Sequence, residues 1–322
     1  MIAETNRIPV VIPIAGGKGG VGKSLFTASL TRHLATMGHC TTAVDLDLGG
    51  SNLHSFFGFD NIHPGVGDYL SSKGKSLDEF SVLLSEDSNS RFIPGDGLRP
   101  FMANITHGHK MRLLRDIIKL DADIVLLDLG AGSSYNTLDF FRVWGRGILL
   151  TTPEHTAIMN MMTFVKNVVL RIIAKGSSGN AFMEEIVNAA GQQSMQGEIR
   201  SVPDILDEME TISVKRTESI RHQLSSLNFD LIVNQVRDPA DLQFVKSVQA
   251  NLQKRLGVKV NWQGCFFDQP QVRIGLHGAR AEEGLPTLSG LGPIAERIVR
   301  GEVVSSESLL AEAQGLYRQR SG

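Results

Sequence analysis

An apolar run, Val10-Val11-Ile12-Pro13-Ile14, leads into a glycine-rich stretch, Ala15-Gly16-Gly17-Lys18-Gly19-Gly20-Val21-Gly22-Lys23-Ser24. A helical pattern follows, with Leu25, Leu30, Leu34 and Met37 on one side and Gly38 as a stop. Strand, glycine turn and helix in that order form the setting a phosphate-binding loop needs. Gly17, four residues and then Gly22-Lys23-Ser24 fit the spacing G-x-x-x-x-G-K-[ST]. Glycines let backbone N–H groups turn inward around a phosphate, and the helix that starts there adds the positive end of its dipole. Lys23 is placed to reach the β- and γ-phosphates, and the Ser24 hydroxyl to sit on Mg²⁺.

Lys18 is a second lysine inside the loop. A loop folded around a triphosphate leaves this side chain pointing away from its own nucleotide, where it could serve another subunit's phosphates. At K-G-G-x-G-K-S the chain resembles the deviant Walker A ATPases, the MinD/ParA group. The resemblance implies a P-loop NTPase of the α/β class: a doubly wound, mostly parallel sheet with helices on both faces. It also implies ATP and Mg²⁺ as cofactors and an ATP-dependent homodimer in which Lys18 crosses to the partner's nucleotide. Gly17, Lys18, Gly19, Gly20, Val21, Gly22, Lys23, Ser24 and Leu25 are then the phosphate-binding set, with Lys18 and Lys23 catalytic.

Two further strands end in acids. Thr41-Thr42-Ala43-Val44-Asp45-Leu46-Asp47 brings two carboxylates to the end where ligands of open parallel sheets collect. Alternate residues share a side of a strand, so Asp45 and Asp47 are expected to face one crevice together, one on a magnesium-bound water and one on the attacking water. The resemblance gives the water role to Asp47 and places Asn52 near the triphosphate. Ile124-Val125-Leu126-Leu127-Asp128 is the Walker B pattern, with Asp128 a magnesium ligand beside Ser24 and Asp47. Gly130, in the Leu129-Gly130-Ala131-Gly132 stretch that follows, offers an N–H to the γ-phosphate and can report its loss. The run from Asp128 to Gly132 with Asn136-Thr137-Leu138-Asp139-Phe140-Phe141 is similar to the flagellar-number-regulator branch, FlhG or FleN.

Composition narrows the partners. The formal net charge of −2 over 322 residues argues against bulk attraction to nucleic acid. Two cysteines, Cys40 and Cys265, stand far apart without a C-x-x-C, which fits a reducing cytoplasm and gives no disulfide scaffold. No signal peptide is read at the start, and no apolar run is read as approaching the ~20 residues that span a bilayer. His107 and His109 open a helix over 106–119 with Met111, Leu114, Ile117 and Ile118 inward; a metal site there would need more ligands at suitable spacing.

The second half reads as a strand over Gly147–Thr152 and an apolar helix over 156–173. That helix is expected to be buried against the sheet, with its methionines as the alternative: an adaptable surface for a partner. Gly176-Ser177-Ser178-Gly179 signals a flexible linker into a helical insertion at about 176–221. The strand Phe229–Asn234 ends in an asparagine whose donor and acceptor suit an adenine edge. Asp268-Gln269-Pro270-Gln271 sits where the resembled family has its purine loop, so Asp268 joins the cofactor set by resemblance. Residues 1–303 are then read as a single ATPase domain, and 304–322 as an amphipathic tail with Leu309, Leu310, Ala313, Leu316 and Tyr317 along one stripe. Family tails of this kind often target membranes, but Glu307 and Glu312 oppose Arg318 and Arg320 here, unlike the basic face such helices carry. The expectation is a cytoplasmic protein, with peripheral contact at the inner face of the cell membrane through the tail as the alternative. The activity expected is slow, dimer-activated ATP hydrolysis serving as a switch that positions or counts a cellular structure through an activating or cargo protein. Rival readings are a DNA-segregation ATPase, an iron–sulfur carrier, which needs paired cysteines, and a nucleotide-binding scaffold without turnover.

Overall fold

A computed structural model of the chain describes residues 8–85, 89–97, 105–195, 200–269 and 288–321, without the side chains of 192–195 and 321. The core is one eight-stranded sheet in the order β3-β4-β2-β5-β1-β6-β7-β8. Its strands are β1 (Val10–Ala15), β2 (Thr41–Leu46), β3 (Val82–Leu83), β4 (Ser90–Ile93), β5 (Ile124–Leu129), β6 (Arg146–Thr151), β7 (Asn228–Val236) and β8 (Lys259–Phe267). All neighbours run parallel except β3 against β4.

Strand residues alternate between two apolar layers, as a period of two requires. Ile12, Ile14, Leu126, Ile148, Leu150 and Ile232 pack with Phe26, Leu30 and Leu34 of α1 (Lys23–Thr36). Val11, Ala15, Val125, Leu127, Leu149 and Val233 face the other way. There they meet α4 (His107–Ile117), α5 (Tyr135–Arg142) and α6 (His155–Ser177). Helices on both faces of a parallel sheet make this the doubly wound architecture expected. The short helices α2 (Leu53–Phe57) and α3 (Val66–Ser71) fill the crossover from β2 to β4.

Pro13 is accommodated because β1 pairs with β6 only from Ile14↔Ile148 onward, while Pro13 aligns with Leu127 on the β5 side. Met111 and Ile118 correct the reading of α4: both are exposed, and buried Lys110 takes an inward place beside Leu113, Leu114 and Ile117. Lys110 is stabilised there by Asp139 at 2.6 Å. Helix α6 runs 23 residues and holds an 18-residue window of mean hydropathy 1.4, so by length and composition it is long and apolar enough to cross a bilayer, unlike the expectation above. Here Met161, Phe164, Val165, Val168, Val169 and Ile173 are fully buried in the core. Of its methionines, only Met159 is strongly exposed.

The stretch at Gly176–Gly179 is no free linker. Helix α6 runs into it as far as Ser177, and a Cβ on Gly176 would stand 2.4 Å from Ile220 Cγ1. Glycine thus permits a close helix crossing. Three helices follow, α7 (Ala181–Met195), α8 (Val202–Ile212) and α9 (Val214–Ser225), with α7 and α9 packed on α6. After α10 (Phe244–Leu256) and β8 come α11 (Leu291–Arg300) and α12 (Ser306–Ser321). Leu309 and Ala313 of α12 are buried against the sheet core, Arg297 holds Glu312 through two hydrogen bonds of 3.0 and 3.2 Å, and Lys246 pairs with Glu307. The amphipathic tail therefore lies along β8 with its apolar stripe covered.

Candidate nucleotide site

The carboxyl ends of β1, β2, β5 and β7 converge on one cleft of roughly 360 Å³. Gly19, Gly20, Gly22, Lys23, Ser24 and Leu25 line one side, with Asp47, Asn52, Asn234 and Asp268 around them. Gly20 and Gly22 have φ of 80° and 94°, a left-handed backbone that glycine adopts without strain. The loop is also packed too tightly for a side chain at Gly17, where a Cβ would fall 2.1 Å from the Asn160 carbonyl of α6. Lys23 is buried at the first residue of α1, whose first-turn N–H groups open toward the cleft.

Two buried carboxylates meet near the carboxyl ends of β2 and β5. Asp45 and Asp128 are register partners on β2 and β5, and both are buried. Burial pushes both carboxyls up, and the Asp128 charge adds to the effect on Asp45. Their surroundings then separate them. Asp45 accepts from the Asp47 N–H at 3.0 Å, the Ser51 hydroxyl at 2.7 Å and the Leu53 N–H at 3.1 Å. It staples the loop after β2, so the expectation that Asp45 and Asp47 face the crevice as a working pair does not hold. Asp128 takes a hydrogen bond from Thr27 at 3.3 Å on one oxygen, while its buried Oδ2 has no hydrogen-bond partner. Ser24 and Lys23 lower it.

Asp47 lies just past β2. Burial pushes it up and the Lys23 ammonium pulls it back. A Cβ on Gly130 would come 2.7 Å from Asp47 Oδ1, so the glycine after β5 makes room for this carboxylate. An orphaned buried carboxylate oxygen beside a serine hydroxyl fits Mg²⁺, which takes one or two protein oxygens and completes its shell with water and phosphate. Among the described residues no group of three or more His, Cys, Asp or Glu forms a metal cluster, and such a magnesium site needs none.

Asn234 does more than sequence reasoning saw. Its Nδ2 donates to the Val21 carbonyl at 2.9 Å, and its Oδ1 accepts from the Gln235 N–H at 2.9 Å. The side chain proposed to read adenine thus braces the phosphate loop. Gln235, with φ of 60°, adds a second brace from Nε2 to the Gly20 carbonyl at 3.2 Å. Gln269 of the expected purine loop lines the cleft, as do Phe56, Phe267 and Leu288, which nothing in their sequence setting marks as site residues. Of the expected purine loop, Pro270 and Gln271 lie outside the described residues. Lys18 stands away from the cleft lining, at Glu154 and Thr156 before and at the start of α6.

A parallel sheet with a glycine cradle, a buried lysine at the following helix and an aspartate at the end of a neighbouring strand define a P-loop NTPase. The ParA family model, described as NUBPL iron-transfer P-loop NTPase, matches residues 7–175. The chain belongs to this family. It is 29% identical over 203 residues to the septum site-determining protein MinD of Helicobacter pylori, a match spanning 61% of this chain and 73% of that protein. It is 26% identical over 190 residues to the flagellum site-determining protein YlxH of the same organism, across 56% of this chain and 63% of that one. Among solved structures, MinD of Pyrococcus horikoshii, complexed with Mg-ADP, shares the fold at a TM-score of 0.53 and 20% identity, covering 89% of this chain and 95% of that one.

Proposed function

We propose that the chain is a magnesium-dependent ATPase switch that dimerises on ATP and positions, or sets the number of, a cellular structure. The observation that carries this is the cradle itself: left-handed Gly20 and Gly22, buried Lys23, and buried Asp128, whose Oδ2 has no hydrogen-bond partner and whose carboxyl Ser24 and Lys23 lower. Loop N–H groups and Lys23 hold the β- and γ-phosphates. Ser24 and Asp128 hold the cation, with Asp47 near enough to share its water. When bound, Mg²⁺ neutralises charge on the transferring phosphoryl group. Asp47 orients the attacking water, and the Gly130 loop follows the γ-phosphate. Lys18 completes the partner's site across the dimer, which makes turnover slow for a lone protomer.

Similarity to proteins named for septum and flagellum placement supports the positioning role, and the activating or cargo partner would recognise the ATP-bound pair. An iron–sulfur carrier of Methanocaldococcus jannaschii is also a relative, 26% identical over 188 residues. In this chain Cys265 is buried on β8 and Cys40 precedes β2, which disfavours a shared cluster within one protomer. DNA binding is disfavoured by the net charge of −2. Phosphate release by wild type and Asp47→Ala at several protein concentrations tests the reading. Turnover that rises with concentration and collapses in the variant supports it; no consumption of ATP at any concentration leaves a scaffold.

A further inference from the structure

The wall of the cleft formed by Phe267 and Asp268 is held from behind by the C-terminal helix. Arg320 of α12 donates from Nη2 to the Asp268 carbonyl at 2.9 Å, and its guanidinium lies 5.5 Å from the centre of the Phe267 ring. Tyr317, one turn earlier, lays its ring 5.7 Å from the same phenylalanine. The Asp268 N–H, in the preceding peptide unit, donates to the Val236 carbonyl of β7 at 2.8 Å. The backbone of one residue, Asp268, is therefore pinned between the sheet and α12.

The space behind this wall is not close-packed. A second cleft of roughly 320 Å³ lies between α12 and the loop, and Phe267 and Gln269 line both clefts. A wall with a void on each side takes its position from the few contacts that cross the void. The helix supplying them is fixed at its base by buried Leu309 and Ala313 and by the Arg297–Glu312 pair.

We propose that Arg320 is a positioning residue for the end of the nucleotide cleft away from the phosphates. It sets the Phe267–Asp268 wall against which the base of a nucleoside triphosphate rests. The proposal depends on the nucleotide reading above. It makes α12 part of the binding site, and a base seated against the wall in turn steadies α12, because coupling between two sites is reciprocal.

The test uses the full chain with Mg²⁺, titrated calorimetrically with ATP and with inorganic tripolyphosphate, which has no base. Variants are Arg320→Ala and, as a control of equal charge change, the exposed Arg318→Ala. Expected is a roughly five-fold weaker Kd for ATP in Arg320→Ala, the size of one hydrogen bond with a stacked cation. Tripolyphosphate affinity should not change, and Arg318→Ala should match wild type. Hydrogen exchange over residues 314–320 should slow with ATP and not with tripolyphosphate. Unchanged ATP affinity in Arg320→Ala, or equal weakening of both ligands, overturns the proposal while leaving the nucleotide reading intact. Wild type that binds neither ligand overturns that reading, and the proposal with it.

Discussion

Lys18 Nζ lies 3.1 Å from Glu154 Oε2 and 3.3 Å from Thr156 Oγ1, so the lysine assigned to a neighbour's nucleotide rests on its own protomer. The two side chains are 41% and 64% exposed. An ion pair this open contributes less than about 1 kcal/mol, so little opposes its release. Glu154→Gln is expected to leave Tm within ~1 °C of wild type and to hold or tighten ATP-dependent self-association, by up to about three-fold, in sedimentation velocity. Lys18→Ala should lose that association. Weaker association in Glu154→Gln would mean that the contact serves the dimer directly.

Gly17 tests whether the cradle needs its present curvature. An added methyl would lie 2.1 Å from backbone atoms of Asn160, and backbone yields less readily than a side-chain tip. Gly17→Ala should cost about 1–3 kcal/mol in chemical denaturation and at least ~10-fold in nucleotide affinity, since loop and α6 must part. Full affinity with unchanged stability would show that the loop is looser than this packing.

Asp139 is buried among Lys110 at 2.6 Å, Arg142 at 3.0 Å, Arg171 at 3.1 Å and Lys175 at 3.5 Å. Burial alone would raise its carboxyl, but hydrogen bonds from Arg171, Lys110 and Arg142 outweigh that and hold it well below the usual carboxylate range. A depressed folded pKa stabilises the fold above the unfolded value, and that contribution is lost as pH falls toward the folded one. Across this window wild type should lose up to about 1.4 kcal/mol per pH unit from this group, and Asp139→Asn should lack that slope. At pH 7 the variant should be about 2–4 kcal/mol less stable, because four cations lose their shared anion. Parallel stability–pH curves for the two proteins would contradict the assignment.

Local patterns carried most of the fold. Unbroken apolar runs in Val10–Ala15 and Ile124–Leu127 marked strands buried on both faces, and the stop at Gly38 marked the end of α1 within two residues. The loop spacing was legible for the same reason: its chemistry lies in consecutive residues. What sequence could not show were contacts made across the chain. The Asn234 brace on Val21 spans 213 positions, and a carboxamide at a strand end reads equally well as a ligand group. Asp45 obeyed the strand period, but the loop after it folded back and took both oxygens. Gly176 carried a linker's composition, while its lack of a side chain lets α6 and α9 touch. The tail's mixed charges became legible only once Glu307 and Glu312 were seen against Lys246 and Arg297.

The central claim is that a triphosphate in the glycine cradle joins two protomers, each lending Lys18 to the other. Size-exclusion chromatography with light scattering, on wild type and Lys18→Ala, in Mg²⁺ with ATP or with ADP, tests it most directly. A dimeric mass for wild type with ATP alone, and monomer in the other three samples, is the predicted result. Monomer throughout, or a dimer indifferent to nucleotide and to Lys18, contradicts it.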